Sequence, residues 1–277
     1  MRCSVWLAAL LLLAATSSLA QEAREVHPWL ASKYSLDLGL FMPERQVELS
    51  VYGPIGSIQG QDIDFDERFG LKKRDDLFAM NFAWRFGEKW ELGAQYFEST
   101  GQRSRTLDED VEWGEFVFGA GTGVTAGIDF TLVRAFFGRN FDSAEHHDFG
   151  IGAGFHYLEI GAFIEGQATI NGQDAGFRRE SVNGKAPLPN VGAWYVRSLS
   201  KRWAVKLRAD WFAAEVGDYD GELVNLAAGV NYQLFDHVGL GVSYNYFELD
   251  VGVDKRGWRG EVKTIYDGLF VHASVYW

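Results

Sequence analysis

Along much of this chain, large apolar side chains occupy every second position. In 77–86, Phe78, Met80, Phe82, Trp84 and Phe86 alternate with Leu77, Ala79, Asn81, Ala83 and Arg85. A period of two puts the first set on one face of a strand and the second on the other. The repeat recurs as Trp203, Val205, Leu207, Ala209 and Trp211 against Lys206, Arg208 and Asp210. It recurs again as Val224, Leu226, Ala228, Val230, Tyr232 and Leu234 against Asn225, Asn231 and Gln233, and as Val238, Leu240, Val242, Tyr244 and Tyr246 against Gly239, Gly241, Ser243 and Asn245. The chain ends on Leu269, Val271, Ala273, Val275 and Trp277, interleaved with Gly268, Phe270, His272, Ser274 and Tyr276.

Periodicity alone allows two all-β architectures. In a soluble sandwich the oily face is the core; in a transmembrane barrel it meets lipid and the polar face lines the lumen. Length favours the barrel, because soluble strands average about 5–6 residues and a tilted bilayer span needs ~9–11. Trp84 and Trp90 flank one turn, Trp203 follows another and Trp277 closes the last strand, a placement resembling an interfacial aromatic girdle. Tight turns at 87–89, 200–201 and 235–237 and a modest one at 142–148 alternate with longer links at 53–75, 105–122, 165–187, 217–221 and 254–260. With short turns periplasmic and long loops extracellular, the pattern predicts an antiparallel up-and-down β-barrel of about ten strands. These are 45–53, 75–86, 89–104, 123–139, 147–165, 186–199, 202–217, 221–235, 237–253 and 259–277, with both termini periplasmic. Met42-Pro43-Glu44-Arg45 interrupts the segment that begins at Tyr34, since proline is confined to edges and bulges. Loss of strands at such ambiguous ends would leave eight.

The opposite end of the chain fits export. Met1-Arg2, an apolar stretch over 5–15 and Ser18-Leu19-Ala20 read as a signal peptide of residues 1–20. A periplasmic segment over 21–33 would then precede a barrel domain over 34–277. Cys3, the single cysteine, would leave with the signal peptide, which removes disulfides and thiolate chemistry from the mature chain. The formal charge of −12 argues against nucleic acid as a partner.

Candidate chemistry is sparse. Hydrolytic sites need histidine, and of the six only His156 reaches mid-barrel; His27, His146, His147, His237 and His272 lie at or near the periplasmic end. His272 and Ser274 share the lumen face two residues apart, at the inner rim. Asp62, Asp64 and Asp66 begin like a calcium loop, but Glu67 stands where the turn needs glycine and Lys73 where a bidentate glutamate belongs. Those acids, and Asp108, Glu109, Asp110 and Glu112, read as solvated loop charges that could bridge to lipopolysaccharide through a divalent cation; Lys255, Arg256 and Arg259 could contact its phosphates. No catalytic, metal or cofactor set emerges. The lumen set is richer: Arg85, Glu91, Arg134, Lys206, Arg208 and Asp210 point inward with Asn81, Gln95, Asn225, Asn231 and Asn245. Opposite charges in so narrow a space should pair, giving a salt-bridged plug. The alternative is a narrow conduit whose Arg and Lys side selects anions.

The terminal aromatic strand, Ile63-Asp64-Phe65-Asp66-Glu67-Arg68-Phe69-Gly70-Leu71, Phe82-Ala83-Trp84-Arg85-Phe86-Gly87, Arg208-Ala209-Asp210-Trp211 and Tyr244-Asn245-Tyr246-Phe247 resemble Gram-negative outer-membrane β-barrel proteins of the small porin-like group, similar in architecture to outer-membrane proteins A and W. The resemblance implies outer-membrane location among lipid and lipopolysaccharide. It also implies delivery by periplasmic chaperones and insertion by the barrel-assembly machinery, with Val271, Val275 and Trp277 as the C-terminal signal. It specifies architecture, not activity. The expectation is a non-enzymatic barrel with a structural or surface-interaction role and a largely plugged lumen; a narrow channel or a lipid hydrolase or protease are the alternatives.

Overall fold

The computed structural model describes residues 26–52, 61–64, 77–87, 89–113, 115–144, 146–216, 219–255 and 258–277. The expected signal peptide, and Asp66, Glu67, Lys73 and Arg256, lie outside them. A four-residue helix, α1 (Pro28–Ala31), precedes β1 (Tyr34–Tyr52), β2 (Gln61–Asp64), β3 (Leu77–Phe86), β4 (Trp90–Thr106), β5 (Val111–Trp113), β6 (Phe116–Phe118), β7 (Gly123–Ala144), β8 (His147–Ile170), β9 (Gln173–Ser198), β10 (Trp203–Val216), β11 (Tyr219–Phe235), β12 (Val238–Lys255) and β13 (Trp258–Tyr276).

Ten of these strands pair antiparallel with their chain neighbours, and β1 pairs with β13, so the sheet closes into a ten-stranded barrel. Closure removes the edges that a membrane could not satisfy. At the seam Trp277 N–H donates to the Tyr34 carbonyl at 3.2 Å and Tyr34 N–H to the Trp277 carbonyl at 2.9 Å. The oily faces point outward: Leu40, Phe78, Phe137, Phe155, Leu207, Trp211, Leu240 and Val271 are all exposed. Near the periplasmic rim Tyr34 stacks on Trp277 (5.4 Å) and Trp84 (6.1 Å), Trp90 on Phe137 (5.0 Å), and Trp203 leans on Tyr232 (4.8 Å). These rings form a girdle on that side.

Several boundaries differ from the sequence reading, and the first two have a backbone cause. The first strand starts at Tyr34 and runs through Pro43. Proline is tolerated there because the β1–β3 ladder stops at Phe41 and the β1–β2 ladder starts at Glu48, so among the described residues no neighbour on that side asks Pro43 for an N–H. The expected loop over 165–187 is an extension of β8 and β9, turned at Asn171 (φ 51°) and Gly172 (φ 76°). That Asn-Gly pair is the strongest short hairpin signal in the chain, with both residues in the left-handed region a type I′ turn demands. The expected links at 217–221 and 254–260 shrink likewise, since β10 ends at Val216, β11 begins at Tyr219, β12 ends at Lys255 and β13 begins at Trp258. Within the expected loop over 105–122, β5 and β6 form a small hairpin that reaches β8 at Val117 and Thr169.

β9 pairs with β10 only from Val191 to Ser198. Its outer part, 173–190, is bonded to β8 alone among the described residues. Pro187 and Pro189, which have no N–H to donate, stand just above the point where the ladder ends. An unpaired edge is not tolerated in hydrocarbon, so the bilayer's outer limit lies near this level and the hairpin above it is an arm in water. The Glu159–Lys185 (2.8 Å) and Glu165–Arg179 (2.7 Å) ion pairs cross the arm, consistent with an aqueous setting.

Candidate functional site

The lumen is filled by three successive layers. At the periplasmic mouth the segment before β1 turns into the barrel. His27 N–H donates to Ser198 Oγ at 2.9 Å, and the His27 ring caps α1 by accepting from Trp29 N–H at 3.1 Å. Trp29 packs with Phe136, Trp194, Val196, Ala204 and Tyr276, and Leu30 joins them. Trp194 lies flat across Gly138 and Gly150, where any Cβ would come within 2.5 Å and 2.2 Å of its ring. Burial without a charged partner depresses the His27 pKa to about 4, so this ring is neutral where it docks. Of the segment expected over 21–33, residues 27–33 sit in the barrel mouth on the periplasmic side.

Above lies an ion-paired layer. Asp210, 1 % exposed, accepts from Arg134 Nη2 (2.9 Å), Arg208 Nε (2.9 Å), Arg208 Nη2 (3.1 Å) and Asn225 Nδ2 (3.1 Å). Those four bonds fill a carboxylate's acceptor capacity. The two guanidinium carbons stand 4.3 and 4.5 Å from the Phe136 ring centroid, a cation–π contact for each arginine. The Asp210 carboxylate crosses its neighbour strand at Gly192, where a Cβ would fall 2.1 Å from Oδ1, so glycine is required there. A second group centres on Arg85, whose Nε donates to Glu91 Oε2 (3.2 Å); Nη1 donates to the Leu30 carbonyl (2.8 Å) and lies 3.3 Å from Asp148 Oδ2. Arg85 thus ties the mouth segment to the wall. Of the six lumen charges named from sequence, five enter ion pairs. Lys206 has no carboxylate partner among the described residues and stands 5.6 Å over the Trp29 ring.

A third polar group runs along β1, β11 and β13. Tyr276 Oη donates to Asn231 Oδ1 (2.8 Å), Asn231 Nδ2 to Ser274 Oγ (2.7 Å) and Ser274 Oγ to Asp37 Oδ1 (2.6 Å). Ser274 is therefore committed to Asp37 and Asn231, and among the described residues it makes no hydrogen bond to the buried His272. The pair shares a face but makes no dyad. His156, at mid-barrel, leans on Phe247 (6.2 Å), and Lys255 and Arg259 enter the β12–β13 ladder with side chains outside the described residues. Asp62 and Asp64 enter β2. The C-terminal set faces lipid at Val271 and Trp277, which are exposed, and at Val275, on the same face.

Between the layers lies a cavity of about 70 Å³, walled by Trp29 on the periplasmic side and Phe270 on the outer side, with Asp37, Arg134, Lys206 and His272 among its lining. Beyond it the same inward face of the strands turns apolar. Phe97 meets Phe41 (5.6 Å), Phe130 (5.6 Å), Tyr266 (5.8 Å) and Phe247 (6.2 Å), and Leu132, Leu158, Leu188 and Leu223 complete a buried ring cluster. A third apolar cluster, with Leu107, Val111, Phe118, Ile128 and Ile164, lies beneath the β5–β6 hairpin. The sequence reading named neither the aromatic layer nor the mouth plug. The plug has no periodic signal, and inward rings interrupt the polar alternation without breaking the outward one.

Known structures put this architecture in context. The outer membrane protease OmpT of Escherichia coli superposes with a TM-score of 0.55 at 8 % identity, covering 95 % of this chain and 100 % of that one. The chain is an outer-membrane-type β-barrel. More loosely similar are the translocator domain of autotransporter NalP from Neisseria meningitidis (0.40, 10 % identity, 99 % and 96 % covered) and outer membrane protein OprG from Pseudomonas aeruginosa (0.36, 13 %, 87 % and 95 %). No family model and no curated protein matches the sequence. At such identities the likeness is one of fold, and the activity of this barrel has to be argued from its own side chains.

Proposed function

We propose that the chain is an integral outer-membrane protein with a closed lumen, performing no catalysis, that acts as an envelope component or through the structure it presents outside the membrane. The observation that carries this reading is the triple seal of the lumen: the Trp29 plug, the Asp210 and Arg85 ion-pair groups, and the Phe97 ring cluster. The engagement of Ser274 with Asp37, away from His272, supports the non-catalytic part. The projecting β8–β9 arm supports the surface part. Outward-facing apolar residues contact lipid and lipopolysaccharide, and Val271, Val275 and Trp277 form the signal for the barrel-assembly machinery.

The test is single-channel recording in planar bilayers on folded wild type and on Arg85→Ala/Arg208→Ala. A silent wild type, with heat-modifiable migration showing a folded barrel, is the expected result. Discrete wild-type steps whose size or ion selectivity changes in the double variant would instead establish a narrow conduit. Lys206, a lumenal cation without a carboxylate partner among the described residues, is the observation that favours this second reading.

A further inference from the structure

Among the described residues, Arg85, Glu91, Asp148, Arg134, Arg208, Asp210, Lys206 and Asp37 are charged groups of the ion-paired layer, and six of them are partnered. Arg85 takes Glu91 and Asp148, and Asp210 takes Arg134 and Arg208. Those two groups carry net charges of −1 and +1 and offset one another. Lys206 and Asp37 are left over. Lys206 makes no ion pair, and Asp37, 6 % exposed, accepts only the Ser274 hydroxyl among the described residues. Both line the same cavity, yet they do not touch each other.

We propose that this cavity is a binding site for a small zwitterion, an α-amino acid of about glycine size, with the ligand's ammonium group on Asp37 and its carboxylate on Lys206. Three features converge on that chemistry. An isolated cation or anion bound between Lys206 and Asp37 would match one and repel the other, whereas a dipolar molecule matches both and leaves the layer neutral. A donor for the ligand carboxylate is in place. Arg134, which lines the cavity, is 2 % exposed with Nε unbonded among the described residues. Buried polar atoms are rarely left so without something to receive them. Size is the third feature, since the cavity of about 70 Å³ between Trp29 and Phe270 has space for a molecule of glycine size. Trp29 belongs to the mouth plug, so entry is from the periplasmic side, when residues 27–33 swing out.

The test is retention of radiolabelled glycine by the folded barrel. Protein is refolded into detergent from urea in the presence of glycine, so that slow entry past the plug does not limit the result, then passed over a desalting column. Wild type should retain about one glycine per chain. Lys206→Met and Asp37→Asn, each verified as folded by heat-modifiable migration, should each retain at least roughly tenfold less, since each removes one charge partner of a buried ligand. Acetate and methylammonium, each carrying half of the zwitterion, should compete at least roughly tenfold more weakly than unlabelled glycine. Absence of wild-type retention would overturn the proposal, as would retention unchanged in both variants. Acetate competing as well as glycine would reduce the cavity to an anion site and overturn it too. Conductance is a separate readout, so a failed retention leaves the closed-lumen reading standing.

Discussion

The inner and outer halves of the lumen are walled by the same ten strands and filled by opposite chemistry. In the inner half, Asp210, Arg134, Arg208, Arg85 and Glu91 hold one another through charge-assisted bonds. In the outer half, Phe97, Phe130, Phe247 and Tyr266 pack ring against ring. Both solutions seal the barrel, because a narrow interior requires that its groups be satisfied, not that they be polar. The difference lies in how each half fails. Removing one member of an ion-paired group strands a buried charge, while removing a ring leaves a hole that its neighbours partly fill.

That contrast can be broken most severely at Asp210. Asp210→Ala should strand Arg134 and Arg208 and cost about 3–5 kcal/mol, read as a lower urea midpoint of the heat-modifiable folded form. Asp210→Asn, which keeps the shape, should also fall short of wild type. In the outer half, Phe97→Ala removes the ring that touches four others and should cost about 3 kcal/mol in the same assay. Its bilayers should stay silent, because the ion-paired layer and the mouth plug remain; conduction in Phe97→Ala would show that the ring cluster is the true seal. A smaller effect is expected for Arg85→Ala, about 2 kcal/mol, because Arg85 is partly solvated. That variant should show faster proteolysis of the segment around α1, whose Leu30 carbonyl it releases.

The mildest perturbation is pH. The docked His27 has a pKa of about 4, below its ordinary 6.5, so the unfolded or undocked segment binds a proton more readily. Docking is at full strength above pH 6.5, weakens as pH falls below it, and has lost this contribution once pH drops through about 4. Hydrogen-exchange protection factors of residues 26–33, corrected for the intrinsic pH dependence of exchange, should fall over that window while those of the strands hold, and His27→Phe should flatten the response.

How much of this was legible depended on which neighbour imposed the pattern. Lipid contacts every strand in the same way, so the outward residues Phe78 to Phe86, Trp203 to Trp211 and Leu269 to Trp277 repeat at a period of two, and with the alternation of short turns and longer links they gave about ten strands. The inward faces answer to particular partners across the lumen. Asp210 meets Arg134 from 76 residues away, and Ser274 meets Asp37 from 237 away. Pro43 was misread for the same reason, since whether a proline breaks a strand depends on whether a neighbour claims its missing N–H. Asn171-Gly172 was readable in principle, because its turn chemistry is local.

The sequence by itself determined an all-β chain with one oily face per strand, because a bilayer acts on each residue through its immediate surroundings and writes a local period. Only the tertiary structure decided that the mouth is plugged by residues 27–33, that six lumenal charges pair while Lys206 and Asp37 do not among the described residues, and that the outer lumen is aromatic. Those outcomes depend on which strands face each other once β1 meets β13, a closure between residues at opposite ends of the barrel that no local pattern records.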